Sequence, residues 1–180
     1  YRIIGNSTPR FKYGITLDAA WKGFDFSIFM QGIGKRDLWL DGCYFWGANG
    51  QGNEWQSTGF AEHWDFFRPE GDPLGANLNS YYPRVNFSGD RNTKVQTRYL
   101  QNGAYLRLKN VQLGYTLPRV WTEKAGISSV RVYVSGDNLA TITSLSKIFD
   151  PEATGSLAGT GSGKLYPLQR VISVGVNVNF

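Results

Sequence analysis

The sequence predicts an all-β protein, the antiparallel wall of a transmembrane β-barrel, on three observations. Apolar and polar residues alternate with a period of two through several stretches of about ten to twelve residues, the pattern of a strand with one apolar and one polar face. The spacers between these stretches alternate short and long, as barrel turns and loops do. The composition joins 22 glycines and 15 % aromatic residues to only 18 % charged ones, with a mean hydropathy below zero. Barrel strands are apolar on one face alone, so their bulk sequence stays polar.

The first stretch sets Phe11, Tyr13, Ile15, Leu17, Ala19 and Trp21 against Lys12, Gly14, Thr16, Asp18 and Ala20. Lys22 and Gly23 then form a tight hairpin turn, and Phe24, Phe26, Ile28 and Met30 alternate with Asp25, Ser27 and Gln31. From about Lys35 to Asn102 neither period persists, and a loop of that length is usually functional. Between Ala104 and Pro118, Val111, Leu113, Tyr115 and Leu117 alternate with Gln112, Gly114 and Thr116. The earlier half of that stretch puts Arg107 and Lys109 on the face of Val111. Either a bulge shifts the phase or the two charges stand above the apolar band. Pro118 to Gly126 reads as a helical turn, followed by Val130, Val132 and Val134 against Arg131, Tyr133 and Ser135. A second loop, Thr141 to Pro167, precedes the last strand, where Ile172, Val174, Val176, Val178 and Phe180 alternate with Ser173, Gly175, Asn177 and Asn179.

Five strands cannot close a barrel of the size such loops imply, so strands from elsewhere are expected. With the turn at Lys22 inside the cell envelope, the turn 118–128 also lies inside and the loops at about 35–102 and 141–167 lie outside. Phe11, Trp21, Tyr115 and Trp121 then belong to the interfacial aromatic girdles.

Other function classes are disfavoured. The net charge of +5 comes from basic residues scattered along the chain, without the cluster that nucleic acid requires. No run of about 18 apolar residues exists to form a transmembrane helix. The opening "YRIIGNSTPRFKYG" has no leader pattern, so the chain reads as part of something longer. Cys43 stands alone and is expected to be a small loop side chain. His63, between Glu62 and Asp65, is expected to be a solvated or hydrogen-bonded loop residue rather than an acid, base or ligand. Asp150 and Glu152 are too few for a calcium site and suggest a turn. Gly155, Gly159, Gly161 and Gly163 lack the strand and helix that would frame a nucleotide loop. No enzyme activity, cofactor or metal is expected.

The long loop is rich in aromatic residues: Trp39, Tyr44, Phe45, Trp46, Trp55, Trp64, Phe66 and Phe67, with Asn49, Gln51, Asn53 and Gln56 nearby. Trp39, Tyr44, Trp46, Trp55 and Trp64 are the candidates for stacking on a ligand's sugar rings or for contacting a partner over the loop. Packing of the loop upon itself or its partner is the favoured reading, because so long a segment needs its own small core.

Five blocks, "STPRFKYGITLDAAWKGFDFSIFMQGIGKRDLW", "TRYLQNGAYLRLKNVQLGYTLP", "GISSVRVYVSGDNLATIT", "DPE" and "YPLQRVISVGVNVNF", resemble the C-terminal barrel strands of the SusC/RagA family of TonB-dependent outer-membrane transporters. The resemblance covers nearly the whole chain and is weakest over about 40–80. It implies the C-terminal strands of a 22-stranded barrel whose lumen is plugged, the plug lying outside this chain. It further implies a SusD-like surface lipoprotein as lid, coupling to the TonB complex, import of glycans or oligopeptides, and residence in the outer membrane of a Bacteroidetes-like bacterium. Val176, Val178 and Phe180 resemble the terminal signal read by the barrel-assembly machinery. Two other readings stand beside it: a soluble, secreted β-sandwich that binds carbohydrate through the aromatic loop, and a passive porin.

Overall fold

A computed structural model of the chain describes residues 2–49, 59–87, 91–154 and 163–180. Its strands are β1 (Phe11–Trp21), β2 (Phe24–Gly34), β3 (Asp37–Leu38), β4 (Gln101–Asn102), β5 (Tyr105–Thr116), β6 (Ser129–Thr143) and β7 (Val171–Asn179). Two short helices, α1 (Cys43–Trp46) and α2 (Arg119–Thr122), complete the main elements. They form two compact units.

The sheet unit comprises Thr8–Arg36, Gly103–Ser144 and Leu168–Phe180. It is a five-stranded antiparallel meander in the order β1-β2-β5-β6-β7. Lys22 and Gly23 both have positive φ, 46° and 89°, which gives the β1–β2 hairpin the twist that matches its strands. Pairing across the sheet aligns Trp21, Phe24, Tyr115, Val132 and Val176 in one row and Leu17, Ile28, Val111, Gly136 and Ile172 in another. The predicted apolar faces therefore fuse into one. That face is open: Leu17, Trp21, Leu113, Ile172, Val174 and Val176 are each more than half exposed.

The phase ambiguity near Arg107 is resolved by a bulge. On the β2 side, Phe29 faces Asn110 and Met30 faces Leu108, so Lys109 is skipped. On the β6 side, Lys109 lies opposite Asn138 and Leu139 between the pairs Asn110–Asp137 and Leu108–Ala140. Asn138 takes a left-handed φ of 52°, which Asn tolerates better than most side chains. The extra residues return Leu106 and Leu108 to the apolar face and turn Tyr105 and Arg107 to the polar one. They also carry β6 on to Thr143, so the second loop starts later than the predicted Thr141. Pro118 and Gly126 bracket α2 and a following 3-10 turn (Glu123–Ala125), with Gly126 at φ 69° as the left-handed cap.

The loop unit comprises Tyr1–Ser7, Asp37–Asn102 and Leu145–Pro167. Within it β3 and β4 pair antiparallel. The predicted aperiodic loop has a core of its own, built from Leu38, Leu40, Phe45, Trp46, Tyr82, Tyr99, Leu145 and Phe149. Cys43 opens α1 and is half-buried, so it is a helical residue rather than the expected loop one.

Candidate functional site

The sheet unit carries a layer of polar side chains on the face opposite the apolar one. Asp25 on β2 and Arg131 on β6 reach toward each other across β5. Arg131 Nε donates to Asp25 Oδ1 at 2.9 Å, and its Nη2 donates to Oδ2. The bridge passes over Gly114, whose missing side chain leaves the space: a Cβ there would stand 2.5 Å from Asp25 Oδ1 and 2.6 Å from Arg131 Nη2. The Gln112 amide oxygen, turned toward the guanidinium, accepts from Nη2 at 2.7 Å and from Nη1 at 3.2 Å. The guanidinium also lies 5.1 Å from the centre of the Tyr133 ring, a cation–π distance. Tyr133 in turn lies across Gly175, its direct partner on β7. Higher on the same face, Asn110 Nδ2 donates to Asp137 Oδ1 at 2.7 Å. There, buried Arg107 donates through Nε to Thr141 Oγ1 at 2.9 Å. Asp25, Arg131, Gln112, Asn110, Asp137 and Arg107 thus pair with neighbours along this face.

In the loop unit, Phe45 is fully buried and meets Trp46, Tyr82, Tyr99 and Phe149 with ring centres 5.0, 5.8, 6.5 and 6.3 Å away. His63 is held by backbone on both sides. Its Nδ1 accepts from the Phe60 N–H at 3.1 Å and its Nε2 lies 3.0 Å from the Phe45 carbonyl, so Nε2 carries the proton and donates. Glu62 joins separated stretches of chain: it accepts from Ser146 Oγ and, at 3.0 Å, from the Lys147 N–H. Burial first, then the nearby Glu62 carboxylate, pushes the Tyr82 hydroxyl well above its ordinary range. Arg68 is buried, donates to the carbonyls of Gly75 and Trp64 at 2.7 and 3.0 Å, and lies 4.8 Å from the Phe66 ring centre. A cavity of about 230 Å³ is lined by residues that include Trp46, Asn49, Phe60, His63, Trp64 and Tyr82.

The predicted aromatic candidates separate. Trp46 is buried in the core, and Trp39 and Tyr44 pack half-buried against it. Trp64 is 62 % exposed and borders the cavity. Trp55, with Gln51, Asn53 and Gln56, lies outside the described residues, as do Gly155, Gly159 and Gly161 of the glycine loop. Asp150 accepts the Glu152 N–H at 2.8 Å in a turn, as the sequence suggested. Among the described residues, no three His, Cys, Asp or Glu side chains gather where a metal would bind. Val176 and Val178 lie on the apolar face of β7, and Phe180 is 91 % exposed. Sequence reasoning missed the Asp25–Arg131–Gln112 layer and the core roles of Tyr82, Tyr99 and Phe149. The former had a sequence cue, since all three sit at polar positions of strands, but cross-strand register was needed to bring them together.

No family model matches the chain. It is 32 % identical to TonB-dependent receptor P3 of Formosa agariphila over 189 aligned positions, covering 99 % of this chain and 17 % of that protein. It is 28 % identical to TonB-dependent receptor P26 of the same organism over 188 positions, covering 99 % and 18 %. The chain thus spans less than a fifth of the length of these relatives. Among solved structures, the RagAB peptide importer in its open-open state matches with a TM-score of 0.73 at 27 % identity, over 99 % of this chain and 18 % of that one. A further structure of the RagAB peptide transporter gives 0.71 at 28 % identity with the same coverage.

Proposed function

Since the chain belongs to the TonB-dependent receptors of the SusC/RagA type, we propose that it is a stretch of wall and external loops in an outer-membrane nutrient importer of a Bacteroidetes-like bacterium. The observation that carries this reading is the one-sided sheet. Its apolar face runs unbroken across five strands and is open, far beyond the apolar patch a soluble monomer exposes, while the opposite face is a paired polar layer. The eleven residues of β1, at about 3.3 Å each and tilted by about 40°, rise about 28 Å, enough to cross an outer-membrane apolar band of about 25 Å. The outer edges of β1 and β7 pair with further strands of the same barrel, because hydrocarbon tolerates no open edge.

In this arrangement the turns at Lys22–Gly23 and 118–128 face the periplasm and the loops at about 35–102 and 141–167 face outward. The loop unit, with exposed Trp64 at its cavity, is the part offered to a SusD-like lipoprotein or to arriving solute. Energy comes from the TonB complex through a plug outside this chain, and Val176, Val178 and Phe180 are read by the assembly machinery. The role is transport rather than catalysis, with oligopeptides or glycans as cargo. The neighbours named as peptide importers support the former, and the aromatic loop admits the latter.

The test uses the full-length gene in its native host. Deleting it should abolish growth on its oligomeric nutrient, and the protein should fractionate with outer membranes beside a lipoprotein. Uptake of labelled oligopeptides but not oligosaccharides, or the reverse, assigns the cargo. Recovery as a water-soluble species would overturn the importer reading in favour of a secreted carbohydrate-binding sandwich.

A further inference from the structure

At one end of the sheet the apolar face stops on the row Trp21, Phe24, Tyr115, Val132 and Val176. Phe24 and Tyr115 stack with ring centres 4.5 Å apart, and Trp21 is 69 % exposed. Just past that row come three cations. Lys22 is held in the hairpin by its left-handed φ, with its ammonium 5.0 Å from the centre of the Trp21 ring. Arg119 and Lys124 lie on the connection between β5 and β6, where Val120 and Trp121 are 68 % and 65 % exposed. None of the three cations is in an ion pair with a described residue, and Glu123 is the one carboxylate among them. By contrast, Arg131 on the opposite face is fully engaged with Asp25 and Gln112. Lys22, Arg119 and Lys124 thus lie beside the exposed aromatic rim with no protein counter-charge among the described residues.

We propose that this rim is a binding surface for anionic glycerophospholipid: tryptophan and valine enter the boundary between acyl chains and headgroups, and Lys22, Arg119 and Lys124 pair with the phosphates. A tryptophan ring suits that boundary, apolar in body with one N–H to reach water. Lysine and arginine stems lie along apolar surface while their charged ends reach the headgroup layer. Three such cations with one carboxylate among them favour a lipid carrying net negative charge over a zwitterionic one. The pairing is continuous with the apolar face and needs no pocket. It rests on the reading of that face as membrane-spanning.

The experiment places the full-length protein in nanodiscs of mixed phosphatidylglycerol and phosphatidylcholine with identical acyl chains and counts retained lipids by native mass spectrometry. The intact protein should retain phosphatidylglycerol in preference to phosphatidylcholine. The triple substitution K22Q/R119Q/K124Q should cut that preference at least about threefold, since each basic residue at a membrane surface contributes measurably to anionic-lipid binding. The charge-keeping triple K22R/R119K/K124R should preserve it. Heat-modifiable gel mobility confirms that each variant is folded. Insertion with no preference, or a preference unchanged in the glutamine triple, would overturn the lipid surface and leave the importer reading intact. Failure of the intact protein to insert at all would overturn both.

Discussion

Replacing Phe45 by alanine tests whether the loop unit is ordered by its own core. Phe45 is fully buried, so the ring beyond Cβ removes roughly 100 Å² of apolar surface from water. At about 25 cal/mol per Å², that loss is worth about 2.5 kcal/mol. Of the surrounding rings, Trp46 and Tyr99 also pack on each other, and Tyr82 packs on His63 and Tyr81, so the space does not collapse, and the cavity adds about 1.5 kcal/mol. The total of about 4 kcal/mol falls within the range for burying and losing a large aromatic ring. If the unit opens as a whole, hydrogen-exchange protection should fall by nearly a thousandfold at its own amides. The reporters are the Gly47 N–H bonded to the Cys43 carbonyl at 2.8 Å, and the Phe67 and Tyr82 N–H groups bonded to Tyr82 and Asp65 at 3.1 and 3.0 Å. Amides of the β2–β5 ladder serve as the internal control. The assay is exchange with mass-spectrometric peptide readout on the full-length protein in its membrane mimic. A fall of less than tenfold at the three reporters would refute the claim that Phe45 centres the core. Equal loss in the ladder would refute the claim that the loop unit opens on its own.

Three further outcomes are expected. Tyr82 resists ionisation in the folded protein and is free to ionise near pH 10 when unfolded. Its contribution to stability is therefore complete below pH 10 and is lost as pH rises beyond it. Loop-unit amides should lose protection above pH 10, and Tyr82→Phe should move that loss upward; no shift would exclude Tyr82 as the cause. Glu62→Gln keeps the shape of the Ser146 and Lys147 contacts but removes the charge, so a clasp that depends on a charged acceptor should weaken by about 1–2 kcal/mol. Limited proteolysis within 144–150 should then become several-fold faster. Gly175→Leu meets the Tyr133 ring lying over that position and should destabilise β6–β7 pairing, read as lower exchange protection in β7; unchanged protection would mean the ring simply swings away.

Where local physics decides the structure, the sequence was readable. The hairpin at Lys22–Gly23, the alternation of β1, β2 and β7, and the helical turn between Pro118 and Gly126 depend on residues a few positions apart, and all appear as expected. The β5 phase did not yield, because a bulge is invisible until the partner strands fix the register. Lys109 alone looks like a charge on an apolar face, and it takes the Asn138–Leu139 pair opposite to make sense of it. The loop core was legible only as a need for one. Tyr82, Tyr99 and Phe149 come together from stretches that share no period, and the Glu62–Ser146 contact joins residues 84 positions apart. Trp46 and Trp64 look alike in sequence, both aromatic in a polar loop, yet one is 3 % and the other 62 % exposed.

The polar face of the sheet shows how glycine can shape a wall without making a turn. Gly114 and Gly175 occupy inner strand positions, where glycine weakens a strand and offers nothing to pack. Here each is covered by a neighbour's side chain: the Asp25–Arg131 pair lies over Gly114 and the Tyr133 ring over Gly175. With a Cβ at either position, those side chains would have to stand away from the sheet. Lying flat, Asp25 and Arg131 keep their hydrogen bonds. Because Asp25 and Arg131 remain partly exposed, at 37 % and 25 %, water screens their attraction, and the pair is a weak source of stability. Its effect is therefore better sought in the width and charge of the polar side than in the melting of the sheet. The two glycines give up local strand propensity so that the Asp25–Arg131 pair and the Tyr133 ring can lie along the sheet.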